Sequence, residues 1–215
     1  MPLFRGLGIL FMSGHARDTR EGARERMRVC MLYFSGTGMT RYVVRQMAGA
    51  LEERGACVQC RAMEAVRAQS VDPHGLEMLI IAFPVHAFNA PKLVVDFVKR
   101  LPRADGGTAF LLCTAGEDAS INYSACGTLV KILGQKGYRI CGRRLIQMPS
   151  NFAMRHLDME VSGILEQARI QAVEVVEKLL SGVPSQGQAE SAASKIAAAL
   201  GKAEWPGARL AGRFF

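Results

Sequence analysis

No apolar run in these 215 residues approaches the roughly 20 that a membrane-spanning helix needs, so no transmembrane segment is expected. Aromatic residues are sparse, with one tryptophan, and they do not interleave with the basic ones. Lys99, Arg100, Arg103, Arg143 and Arg144 therefore lack the stacking partners of a nucleic-acid surface, and none is expected. The net charge of +8 is dispersed and suits an acidic partner instead. The six cysteines (Cys30, Cys57, Cys60, Cys113, Cys126 and Cys141) do not make the framework of a small disulfide-rich domain. They fit a reducing, cytoplasmic setting. Cys57 and Cys60 have the spacing of a redox or zinc pair, but "ACVQCRAM" reads as a strand. Residues three apart on a strand point to opposite faces, so the two thiols cannot share a metal there.

What is present is enough apolar material for a real core. Nearly half of the chain is hydrophobic and 21% is charged, the balance of a globular domain. Three parts are expected. Residues 1–26 read as a flexible N-terminal extension, because "LGILFM" is followed by a charge-dense stretch with no helical stripe, and Met27 stands directly before the first strand. Residues 27–182 form the domain. Residues 183–215, beyond "SGVPSQGQ", form a C-terminal helical tail.

Within the domain, strand and helix patterns alternate. "RVCMLYF" (28–34), "EMLIIAFPV" (77–85) and "TAFLLCTAG" (108–116) are apolar throughout, as strands buried on both faces must be. "CVQCRAM" alternates like an edge strand, and "YRICGRRLIQM" (138–148) reads as the last. Val44, Met47, Ala48 and Leu51 recur at i, i+3, i+4 and i+7, marking a one-faced helix that ends at Gly55. Further helices are expected after Pro91, around Leu129 to Leu133, and from Ala172 to Leu179. This pattern predicts an α/β domain with a doubly wound, five-stranded parallel sheet of order 2-1-3-4-5.

Between the first strand and the first helix runs Ser35-Gly36-Thr37-Gly38-Met39-Thr40. The two glycines let the backbone turn its amides inward. The hydroxyls of Ser35, Thr37 and Thr40 add donors, and the helix start adds its positive dipole end. The stretch lacks the lysine of a Walker loop and the third glycine of a dinucleotide fingerprint. It is suited to a terminal monophosphate held by uncharged groups.

This stretch resembles the phosphate loop of flavodoxins, Ser/Thr-x-Thr-Gly-Asn-Thr, at Ser35, Thr37, Gly38 and Thr40, with Met39 in place of asparagine. "FPVHAFNAPKLVVDFVKRLP", "TAGEDASIN", "KGYRI" and "MPSNF" are similar to a bacterial family in which a flavodoxin-like domain precedes a ferredoxin domain with two four-iron clusters. The likeness runs from about Met27 to Phe215. The ligand pattern Cys-x-x-Cys-x-x-Cys-x-x-x-Cys-Pro is missing from this chain, so no cluster chemistry is assigned to it.

The resemblance implies FMN as cofactor, with Ser35, Gly36, Thr37, Gly38, Met39 and Thr40 at its phosphate. It implies ring contacts from Pro84, Val85, His86, Ala87, Phe88 and Asn89, and from Thr114, Ala115, Gly116 and Glu117. His86 is the candidate to stack on the ring, with Phe88 as the alternative. Glu117 and Asp118 would place negative charge near it. Asn151 and Phe152 match the family without an assignable role. No metal ligand and no catalytic residue is expected. The function implied is electron transfer between a reductase and a ferredoxin-type or other low-potential partner, including an iron–sulfur domain fused in a longer gene. Two other readings stay open: an NAD(P)H-dependent FMN or quinone reductase, and a flavin-free interaction module.

Overall fold

The computed structural model describes residues 26–116, 122–149 and 158–182. The expected N-terminal extension, apart from Arg26, and the tail at 183–215 lie outside them, as do Glu117, Asp118, Asn151 and Phe152.

Five strands form one sheet: β1 (Arg28–Tyr33), β2 (Cys57–Ala62), β3 (Met78–Pro84), β4 (Thr108–Ala115) and β5 (Arg139–Gln147). All pairings are parallel and the order is β2-β1-β3-β4-β5, as the alternating pattern predicts. The helices are α1 (Met39–Glu53), α2 (Lys92–Arg100), α3 (Gly127–Gln135) and α4 (Asp158–Leu180).

The three central strands carry the apolar runs because both of their faces are covered. Along β1, Val29 and Met31 enter one layer with Val43, Val44, Met47 and Leu51 of α1 and Ala172, Val175 and Val176 of α4. Cys30 and Leu32 enter the other, with Val94, Phe97 and Val98 of α2 and Leu129 and Leu133 of α3. Met31, Leu32, Ile80, Ile81, Leu111 and Leu112 are shut off from solvent altogether. Each such side chain contributes about 1.5–3 kcal/mol of transfer free energy.

One connection departs from strict alternation. Between β2 and β3 the chain makes only a 3-10 turn at Ala68–Ser70. It still delivers Met63, Ala68 and Val71 to the core, but it leaves one face of the edge strand thinly covered. A cavity of about 240 Å³ results at the amino end of β1, lined by Arg28, Cys30, Cys57, Gln59 and Arg61 among others.

Candidate functional site

In an open sheet of this order the chain turns to opposite sides after β1 and β3, which leaves a crevice beyond their carboxyl ends. Three loops meet there.

The first follows β1. Phe34 N–H still donates to Ala82 O (3.0 Å), and the chain then leaves the sheet. The Arg41 amide donates to Ser35 Oγ (3.1 Å), which folds the loop back onto the start of α1. Gly38 caps that helix at φ 94°, a conformation that glycine adopts without the Cβ penalty. Tyr42 N–H makes the first helical bond, to Gly38 O (2.9 Å). The amides of Met39 and Thr40 precede it and belong to the unpaired first turn. No carboxylate stands in that turn to compete for an anion. Gly36 and Thr37 are exposed, and a Cβ built on Gly36 meets nothing within 4 Å. The loop is thus an open cradle of donors at the positive end of a 15-residue helix. Thr40 is placed differently from the other hydroxyls. It is 1% exposed, and its Oγ1 lies 2.8 Å from Thr114 Oγ1.

The second loop follows β3. Val85 N–H donates to Thr114 O (2.8 Å), which prolongs the pairing with β4. His86 and Asn89 then exchange two backbone hydrogen bonds of 2.9 Å each. Between them, Ala87 and Phe88 have φ of 44° and 60°, the signs of a type I′ turn built without its usual Asn or Gly. Left-handed backbone at such residues costs about 1–3 kcal/mol apiece, so the surroundings must hold it. Asn89, 4% exposed, helps by donating from Nδ2 to Ala87 O (3.0 Å).

His86 meets Phe34 edge to face, with ring centroids 6.2 Å apart and planes at 78°. His86 is exposed at the surface of the loop, yet its partial burial holds its pKa below the ordinary histidine value. A neutral imidazole is the form set beside the crevice at neutral pH.

The third loop follows β4. Thr114 is buried, and Ala115 and Gly116 are half-buried. Met148 N–H donates to Ala115 O (2.8 Å), and Gln147 Nε2 donates to Gly116 O (3.4 Å). The structure therefore brings the described candidates of all three loops to one edge of the sheet; Glu117 lies outside the described residues.

Two contributors were not among the sequence candidates. Phe34 closes the apolar run of β1 and so reads as strand, and Gln147 is a polar residue at a strand end with no local signal. The cysteine pair of β2 stays apart as expected: Cys57 registers with Arg28 and Cys60 with Met31, an odd step along the pleat. Burial, ahead of Glu52, pushes the Cys60 thiol up to about 11. Among the described residues no group of three or more His, Cys, Asp and Glu is placed to hold a metal. None of the described helices is long and apolar enough to cross a membrane.

No protein-family model matches the chain, and no curated protein matches it in sequence. Solved structures do match in shape. An NAD(P)H:quinone oxidoreductase from Methanothermobacter marburgensis superimposes with a TM-score of 0.53 at 14% identity, over 73% of this chain and 98% of the other. General stress protein 14 of Treponema denticola, solved in complex with FMN, gives 0.51 at 12% identity, over 71% and 99%. Rubredoxin oxygen:oxidoreductase from Desulfovibrio gigas gives 0.50 at 14% identity; the match covers 74% of this chain and 37% of that larger one. The fold is flavodoxin-like. At these identities the likeness concerns the flavodoxin-like fold alone, and the reading of the crevice rests on this chain's own residues.

Proposed function

We propose that this chain binds FMN at the carboxyl edge of the sheet and works as a flavodoxin-like electron carrier. The observation that carries the reading is the cradle at 35–40: an open, acid-free helix start with serine and threonine donors and a left-handed glycine cap. Ser35, Thr37 and the amides from Gly36 to Thr40 would hold the phosphate. In that role Thr40 contributes its amide, while its hydroxyl ties the cradle to Thr114.

When bound, FMN supplies one- and two-electron transfer chemistry. The chain's residues bind it, orient it and limit water around it. The His86–Asn89 turn, with Ala115 and Gly116, would hold the ring, and neutral His86 adds no positive charge there. The positive surface suits an acidic redox partner such as a ferredoxin, free or fused in a longer protein. All six cysteines are unpaired as thiols, which accords with a reducing cytoplasm.

Titration of the flavin-free protein with FMN, followed by fluorescence quenching, tests the reading. FMN should bind at least tenfold more tightly than riboflavin, since charge-assisted hydrogen bonds to the phosphate are worth about 1.5–3 kcal/mol each. Ser35→Ala with Thr37→Ala should remove most of that difference. Equal affinity for the two flavins would end the phosphate assignment, and no binding of either would favour an interaction module.

A second reading is a quinone reductase, the activity named for the M. marburgensis protein that shares this fold. Steady-state oxidation of NAD(P)H with a quinone acceptor separates the two. A carrier turns over poorly without its reductase.

A further inference from the structure

Two thiols that the proposed function does not use lie together under the end of β4. Cys113 directly precedes Thr114, and Cys126 closes the 3-10 turn Tyr123–Cys126 that leads into α3. They are 2% and 1% exposed, in the layer that holds Leu129 and Leu145. Their sulfurs are 3.8 Å apart, with Cys126 Sγ donating to Cys113 Sγ. Cys113 Sγ in turn lies 3.6 Å from Arg144 O as a donor.

That separation is van der Waals contact, and a disulfide needs about 2.05 Å, so the sulfurs must close by about 1.8 Å. Cys113 is anchored in a central strand. Cys126 sits where a short 3-10 turn runs into α3, outside the sheet, so its approach to Cys113 breaks no sheet hydrogen bond.

We propose that Cys113 and Cys126 are a redox-active dithiol that hydrogen peroxide converts into an intramolecular disulfide. Local opening of the turn lets one thiol lose its proton and attack a peroxide oxygen. The O–O bond breaks, the sulfur becomes a sulfenic acid, and the departing hydroxide is protonated to water. The second sulfur then attacks the sulfenic sulfur; the S–S bond forms, the S–O bond breaks, and a second water leaves. Two thiols thereby give up two electrons and two protons, and one peroxide is reduced to two waters.

Burial accounts for selectivity. The neighbouring Cys126 thiol and, after it, burial hold the Cys113 thiol protonated at rest, and burial keeps bulky electrophiles and disulfides from either sulfur. Peroxide is small enough to enter on a brief opening. The new bond would fasten the end of β4, where Thr114 to Gly116 face the crevice, to the turn thirteen residues further along. The pairing itself does not depend on the flavin reading.

The full chain, reduced and then exposed to peroxide, can be denatured, alkylated and mapped by peptide mass spectrometry. The expected result is one cross-linked peptide pair joining Cys113 to Cys126. Two of the six alkylatable thiols should be lost, and dithiothreitol should restore them. Cys57→Ser with Cys60→Ser should leave that product intact. In Cys126→Ala, dimedone should trap a sulfenic acid at Cys113. The proposal is overturned if peroxide leaves Cys113 and Cys126 alkylated, or if either pairs instead with another cysteine. The wild-type map decides this even where a variant fails to fold.

Discussion

The hydroxyls of Thr40 and Thr114 lie 2.8 Å apart in the interior, 74 residues apart in sequence. They join the first turn of α1 to the last turn of chain before β4 ends, and so link the cradle to the third loop. Replacing either one with valine leaves the other hydroxyl buried without that partner. Thr40→Val and Thr114→Val should each cost about 1–3 kcal/mol in urea unfolding, and the double variant distinctly less than their sum. Additive losses would mean that the two hydroxyls do not depend on each other.

The turn at Ala87 and Phe88 stores strain that a glycine would release. Ala87→Gly should raise stability by about 1 kcal/mol, the left-handed penalty at φ 44° less glycine's own entropy cost. A midpoint of denaturation that falls would show that the turn relaxes in solution to negative φ.

Burial shapes the pH response through His86. Its folded pKa lies below the ordinary 6.5, so the unfolded chain takes up a proton first as the medium is acidified. Stability is full above 6.5 and declines as pH falls from there through the folded value. His86→Gln should flatten that part of the pH profile, and an NMR titration of the His86 ring should give a midpoint under 6.5. A midpoint above it would reverse the sign and remove the argument.

Gly137 governs the approach of α3 to β5. Its φ is 86°, and a Cβ there would fall 1.9 Å from Ala104 O, on the residue whose N–H donates to Lys136 O (2.8 Å). Gly137→Ala should lose more than about 3 kcal/mol or fail to fold. Gly134→Ala, inside α3 with open space around it, should gain about 1 kcal/mol. Similar thermal midpoints for the two variants would contradict the crowding.

The amino-acid order by itself determined the elements and the place of the cradle. Periodicity of two or 3.6 reports which backbone hydrogen bonds can form while apolar side chains share one face, and that is a local matter. Thus the all-apolar runs of β1, β3 and β4 imply a sheet covered on both sides, and the Gly36 and Gly38 stretch marks the turn at its mouth. Packing across the whole chain decided the rest. The 3-10 turn at Ala68–Ser70 suffices between β2 and β3 because Met63, Ala68 and Val71 already fill the core. Phe34 meets His86 and Thr40 meets Thr114 only after parallel strands bring distant segments side by side, and Cys113 meets Cys126 only when the turn before α3 packs back on β4. Positive φ at Ala87 and Phe88 carries no signature in those side chains, since the surrounding bonds impose it. Contacts of long sequence separation obey the geometry of the assembled sheet, and no window of neighbouring residues contains it.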